Sequence, residues 1–554
     1  MGANGSVRNR DVGWGGSQRL GMVVSGSLTE GMEVRLDADT SIEDIKVGTF
    51  VNIQGQHMRF FGVVTDVALA SMDPALPSSP PDVSNPFIAR VVSGTAAYGT
   101  ITVEPMLTLG AGESVAGLDG PQPAKTIPPH FSAVGSATDE DIRVVFGSED
   151  DRHFWIGSPL DMDTQLCLDI EELVTRSNGV FGKSGTGKTF LTRLLLAGIL
   201  QKNVASNLVF DMHNEYGWQG TSEGATSTVK GLKQLFSSRV AVFTLDEQSS
   251  RNRGINPDYV ARIGLEEIEP EDILMLRESL NLSEVAADAT YSLQREFGRK
   301  WLGTFLDMSG GEEMRELASR LNVNDRALST LQNRLRRLMR LPFIDAERSH
   351  DSVNRILDYV QNQDMHVVLE FGRYGSDLSA YILVANLLTR RIYARYQDLT
   401  EKAAGDSAQS PRPLVITIEE AHKFMSPGIA DQTIFGTIAR EMRKFNVTLL
   451  VVDQRPSGID GEIMSQIGTK LTCLLDSDRD VDAVLSGVSG SRKLRAVLSR
   501  LESKQQALVF GHALPMPVVV RTRDYGSSES YASFGWRDES ERLAMAERDA
   551  ADLF

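Results

Sequence analysis

The chain has 554 residues with 41% hydrophobic and 24% charged side chains, ordinary values for a globular protein with more than one core. Its formal net charge of −17 excludes a broadly basic nucleic-acid coat. A local basic channel stays open, because salt screens charge beyond about 10 Å. No apolar run is long enough to span a bilayer and no apolar signal segment opens the chain, so no membrane partner is expected. Cys167 and Cys473 lie in apolar surroundings with no partner at metal-ligand spacing. They are expected to be reduced core thiols in a cytoplasmic protein.

Residues 17 to about 150 carry short β-type runs, among them Leu20-Gly21-Met22-Val23-Val24, Thr49 to Ile53, Phe61 to Val67, Ile88 to Val92 and Ile101-Thr102-Val103. Gly, Pro and Ser clusters separate them, a spacing that predicts a small β-barrel over 1–155. Pro-rich stretches at 121–129 and near Pro159 read as a linker.

Gly182-Lys183-Ser184-Gly185-Thr186-Gly187-Lys188-Thr189 then fits G-x-x-x-x-G-K-[ST], the phosphate-binding P-loop. Asn178-Gly179-Val180-Phe181 before it reads as a buried strand, and Phe190 to Leu196 after it as the start of a helix. Glycines let the backbone N–H groups curl around a polyphosphate, and the helix start adds a positive dipole end. Lys188 is expected on the β- and γ-phosphates and the Thr189 hydroxyl on Mg²⁺.

Apolar strands alternating with helices continue to about 525, which predicts a mainly parallel α/β sheet over 156–525. Candidate strands are Leu208 to Asp211, Val240 to Phe243, Val367 to Glu370, Leu414 to Ile418 and Val447 to Val452. Leu471 to Leu475, Ala507 to Phe510 and Val518 to Val520 follow. Between about 255 and 360 helical stretches take over, with Leu331, Leu335 and Leu338 at helical spacing, and predict a helical insertion. Residues 526–554 read as a polar, acidic tail that orders on a neighbouring subunit.

Leu414 to Ile418 ends in Glu419-Glu420-Ala421-His422. At the carboxyl edge of a parallel sheet such carboxylates project into the nucleotide crevice. Glu419 is expected to hold Mg²⁺ through water, and Glu420 to polarise the water that attacks the γ-phosphate. Val451-Val452-Asp453-Gln454-Arg455-Pro456 delivers Gln454 to the same edge as a γ-phosphate sensor.

In this order the motifs resemble the HerA family of hexameric DNA translocases, relatives of the FtsK motors. Val209-Phe210-Asp211-Met212-His213-Asn214-Glu215-Tyr216 is similar to the family's strand-Asp-x-His-x-Glu-Tyr segment. Glu419 to His422 is similar to its acidic motif, Ile438 to Val447 to its Arg-Lys helix end, and Asp453 to Ser457 to its Ser-Gln-Arg-Pro segment. Met442 stands where the family usually has Gly, and Asp453 where it usually has Ser. The resemblance implies a RecA-like P-loop core and a HAS-barrel-like amino-terminal domain. It also implies Arg443 acting on the neighbouring subunit's nucleotide, and an arginine near the phosphates at Arg176, with Arg440 one helical turn before Arg443. It further implies a homo-hexamer with DNA in its pore, and a NurA-type nuclease or a defence effector docked on the barrel. Arg334 to Arg337 and Arg492 to Arg495 are basic candidates for the pore, read otherwise as solvated helix faces. Two other functions fit the same motifs: a P-loop motor on another polymer, or a nucleotide-gated ring scaffold that recruits an effector.

Overall fold

The computed structural model describes residues 17–536 except 74, 75, 79, 83, 93–95, 111–119, 222–227, 339, 346–350, 404–409, 431, 432, 442, 443 and 489. Met442, Arg443 and most of the expected tail therefore lie outside the described residues. Contacts divide the chain into two units, Met1–Leu168 with Gly487–Thr522, and Asp169–Ser486 with Arg523–Phe554. Gly487–Thr522, read from the sequence as part of the nucleotide core, groups with the first unit.

In the first unit β1 (Arg19–Ser27), β2 (Gly31–Leu36), β3 (Phe50–Gln54), β4 (Met58–Ser71), β5 (Ala97–Gly110) and β6 (Ala133–Ser136) pair in the order β2–β1–β6–β3–β4–β5. β5 then returns antiparallel to β2, from Met32↔Val103 to Arg35↔Thr100, and closes a six-strand barrel. Alternate residues turn inward, and Val23, Met32, Val34, Val51, Ile53, Phe60, Val64, Val103 and Val134 fill the interior. The strands Gln506–Gly511 and Val518–Thr522 form a hairpin against His153–Pro159 (β7), with both ladders antiparallel. The alternation of strands and helices predicts parallel strands here, and the hairpin departs from it. A short turn joins its arms, whereas a parallel pair needs a long crossover.

The second unit holds β8 (Asn178–Phe181), β9 (Ser206–Asp211), β10 (Val240–Thr244), β11 (His366–Glu370), β12 (Leu414–Glu419), β13 (Val447–Asp453) and β14 (Thr469–Thr472). From the two-residue edge strand Tyr259–Val260 the order is β10–β11–β9–β12–β13–β8–β14, and these ladders are parallel. Across both units the strand pairing is thus mixed. β8 to β13 are buried along their whole length, as expected for strands covered on both faces.

α1 (Lys188–Lys202) links β8 to β9. Helices α2 (Glu284–Phe297), α3 (Trp301–Asp307), α4 (Glu312–Leu321) and α5 (Asp325–Leu338) occupy the expected insertion. Leu328, Leu331, Leu335 and Leu338 of α5 are buried on one face. There Gln332 Nε2 donates to Phe305 O at 2.7 Å and to Met308 O at 3.0 Å. α6 (Leu378–Lys402) and α7 (Ile434–Arg440) flank β12 in the chain. Arg390 of α6 bonds the buried Asp272 at 2.7 Å, which ties α6 to the helix Pro270–Met275. No helix among the described residues is long and apolar enough to cross a membrane.

Candidate active site

β8 runs directly into the phosphate loop, and α1 begins at Lys188. Gly187 precedes it at φ 93°, ψ 12°, a left-handed turn that glycine adopts at little cost. No side chain caps the helix start, so its first N–H groups remain for an anion. Both flanks anchor the loop. The Gly182 N–H donates to Asp453 O at 3.3 Å and the Lys183 N–H to Leu474 O at 3.0 Å. Lys183 Nζ lies 2.8 Å from Asp476 Oδ1. Ser184 and Gly185 form the exposed crest. Lys188 is buried, and its Nζ and Thr186 Oγ1 both donate to Lys183 O at 2.8 Å.

Four adjacent strands, β11, β9, β12 and β13, each end on a carboxylate at the loop's edge of the sheet: Glu370, Asp211, Glu419 and Asp453. Asp211 is fully buried and accepts the N–H groups of Glu215, Tyr216 and Gly217 at 2.8, 2.8 and 3.1 Å. The turn so formed sends the Tyr216 hydroxyl to Glu419 Oε1 at 2.9 Å. The Tyr381 hydroxyl donates to Glu419 O at 3.1 Å, and the Glu419 N–H to that hydroxyl at 3.1 Å. Arg193 of α1 is also fully buried. Its Nε and Nη2 donate to Glu215 O at 3.1 and 2.7 Å, while its guanidinium lies against the Phe190 ring.

Burial raises the carboxyl groups of Asp211 and Glu215 above the usual range, and Glu215 is also bonded by the Thr189 hydroxyl. Glu419 is pushed up to about 8, first by burial and then by the Asp211 charge. Its Oε2 is buried without a hydrogen-bond partner. Such crowded carboxylates call for a cation. A nucleoside triphosphate with Mg²⁺ fits the donor set: loop amides and Lys188 for phosphate, the Thr189 hydroxyl and the unpartnered Glu419 oxygen for the metal and its waters.

Glu420 follows at φ 50°, ψ 43°, a left-handed conformation uncommon outside glycine. Gln454 Nε2 donates to Glu420 Oε1 at 3.3 Å, so the two groups expected at the γ-phosphate meet. Arg440 ends α7, with Nε 4.0 Å from Glu462 Oε1. Arg176 precedes β8, packed on Gly468, and so stands at the strand's other end from the phosphate loop. Five residues, four of them in strand β8, lie between Arg176 and Gly182, a span of roughly 20 Å. The structure does not bring it to the loop of its own chain. Sequence reasoning assigned no role to Arg193, Tyr216, Tyr381 or Asp453. Asp211, Glu370 and Asp453 carried a signal, as polar residues closing apolar strands.

A family model described as "Helicase HerA, central domain" matches residues 154–392. "DNA double-strand break repair helicase HerA" of Pyrococcus furiosus is 22% identical over 429 residues, covering 73% of this chain and 74% of that protein. The protein of that name from Sulfurisphaera tokodaii is 24% identical over 530 residues, covering 91% and 92%. The chain is thus similar to HerA helicases over most of its length. It is an ATPase, and the matched stretch holds the phosphate loop with the strand ends Asp211 and Glu370. Among solved structures, VirB4 of Thermoanaerobacter pseudethanolicus aligns over 69% of this chain and 99% of its own, at 15% identity and a TM-score of 0.42.

Proposed function

We propose that this ATPase is a member of the HerA family that hydrolyses ATP to move duplex DNA through a ring of six copies, and works with a nuclease or a defence effector in DNA end processing, repair or defence. The observation that carries this reading is the meeting of the phosphate loop, the buried Glu419 and the Gln454-bonded Glu420 at one sheet edge. Loop amides and Lys188 would bind the phosphates, and Thr189 and, through water, Glu419 would hold Mg²⁺, which would supply positive charge to the phosphate oxygens. Glu420 orients the attacking water. The water oxygen bonds the γ-phosphorus as the bond to the bridging oxygen breaks, giving ADP, phosphate and a proton that leaves by Glu420. Arg443, three residues after the end of α7, completes the site of the next subunit, an arrangement worth roughly 10³–10⁵ in rate. Arg176 and Arg440 are the other candidates for contact across that boundary.

For the partner we propose the barrel as its docking surface. Leu69 near the end of β4 is 82% exposed, and Met72 and Phe87 between β4 and β5 are 67% and 74% exposed, an apolar display that supports docking. The cytoplasm suits Cys167 and Cys473, both buried and neither in a disulfide.

Glu420→Gln tests the reading. A motor so altered binds ATP yet no longer moves on DNA. Retention of biological activity by the same variant would instead indicate a nucleotide-gated scaffold.

A further inference from the structure

Asp453 is 1% exposed and ends β13, next to β12 in the sheet. Its carboxylate accepts the His422 N–H at 2.7 Å and the Arg455 N–H at 2.6 Å. The same oxygens lie 3.0 and 3.1 Å from His422 Nδ1. A carboxylate only accepts, so Nδ1 carries the proton and the ring is fixed in one tautomer and one orientation. Glu420 Oε2 lies 3.7 Å from that same Nδ1, and Glu420 Oε1 accepts from Gln454, the residue after Asp453. The Asp453 carbonyl meanwhile receives the Gly182 N–H of the phosphate loop. One residue therefore joins three segments: the phosphate loop, the acidic turn after β12 and the sensor turn after β13.

We propose that Asp453 and His422 are positioning residues for hydrolysis, holding the turn that keeps Glu420 left-handed and its carboxylate set beside Gln454. This rests on Glu420 orienting the attacking water, as proposed above. Three N–H donors converge on the Asp453 carboxylate, and both of its oxygens are used. A serine hydroxyl at this position offers one oxygen on a shorter stem and leaves donors unpaired. Left-handed backbone at a non-glycine residue persists only where its surroundings over-determine it, and these bonds supply that constraint. Gly458 closes the other side, since a Cβ there would stand 3.1 Å from His422 Cβ.

The test uses the full chain with Asp453→Ser, His422→Leu, His422→Asn and Glu420→Gln. For each, kcat and KM for ATP are measured, with the affinity for a non-hydrolysable ATP analogue and the melting temperature. His422→Leu and Asp453→Ser should lower kcat by about 100-fold, the scale of a misplaced reacting group. KM and analogue affinity should stay unchanged, the pattern of an interaction felt only in the transition state. His422→Asn, whose amide N–H replaces Nδ1–H, should recover most of that loss. Wild-type kcat in His422→Leu beside an inactive Glu420→Gln would overturn the positioning role alone. Parallel loss of analogue affinity and melting temperature, or an Asn variant as poor as the Leu variant, would overturn it too. Full hydrolysis by Glu420→Gln would instead remove the reading beneath it. Should Asp453→Ser fail to fold, the His422 pair decides.

Discussion

Glu419→Gln should stabilise the nucleotide-free protein, and the gain should grow with pH. Glu419 is 8% exposed, with Asp211, Glu215 and Glu420 as carboxylate neighbours and one donor, the Tyr216 hydroxyl. Its carboxyl is raised from 4.5 to about 8 by burial and by Asp211. Below pH 4.5 both folded and unfolded chains hold the proton, and the group contributes nothing to pH dependence. As pH rises from 4.5 the unfolded chain releases a proton that the folded chain keeps, so stability falls by about 1.4 kcal/mol per pH unit. The fall levels off above about 8. At pH 7.5 three such units give about 4 kcal/mol as a ceiling; at pH 5 the cost is below about 1 kcal/mol. Glutamine keeps the shape and can accept from Tyr216 without titrating. Urea unfolding of both proteins at pH 5 and 7.5 should give nearly equal stability at the lower pH and a more stable variant at the higher. The variant should also lose Mg²⁺-dependent ATP hydrolysis. A pH-independent difference, or a less stable variant at pH 7.5, would refute the reasoning that this acid is held against its charge until a cation arrives.

Gly220→Ala should destabilise the protein by about 1–3 kcal/mol or more in urea unfolding. The added Cβ would stand 1.8 Å from Nη2 of the fully buried Arg193, which is held by Glu215 O and cannot swing away. Tyr216→Phe removes the donor to Glu419 Oε1, and an unfolding curve at neutral pH should show a loss of about 1–3 kcal/mol. Leu335→Ala in α5 should cost about 2–5 kcal/mol of stability while KM for ATP stays unchanged, because the residue is buried in the helical insertion.

The phosphate loop was legible because its chemistry is local: eight consecutive residues, a strand before them and a helix after. Glu419, Glu420 and Gln454 were legible as polar residues closing apolar strands, and the α5 leucines by their helical spacing. Barrel closure depends on β2 meeting β5, a pairing between residues near 32 and 103 that no local pattern encodes. The terminal hairpin misled for a related reason, since an apolar strand reads alike in parallel and antiparallel pairing. Arg193 was hidden because α1 is buried on nearly all sides, so no polar face marks its arginine as unusual. The basic tracts read in part as ordinary surface chemistry: Arg336 caps the carbonyls of Leu306 and Met308, and Lys493 pairs with Glu104. Asp453 stood out as a polar residue closing an apolar strand and as a departure from the family's serine, and its bonding to His422 exists only once β12 and β13 lie side by side.

ATP hydrolysis with and without linear duplex DNA, with Lys188→Ala as the blank, tests DNA-driven turnover most directly. Stimulation by DNA that weakens with salt and vanishes in the blank is the predicted result. Steady hydrolysis indifferent to DNA would contradict a DNA motor.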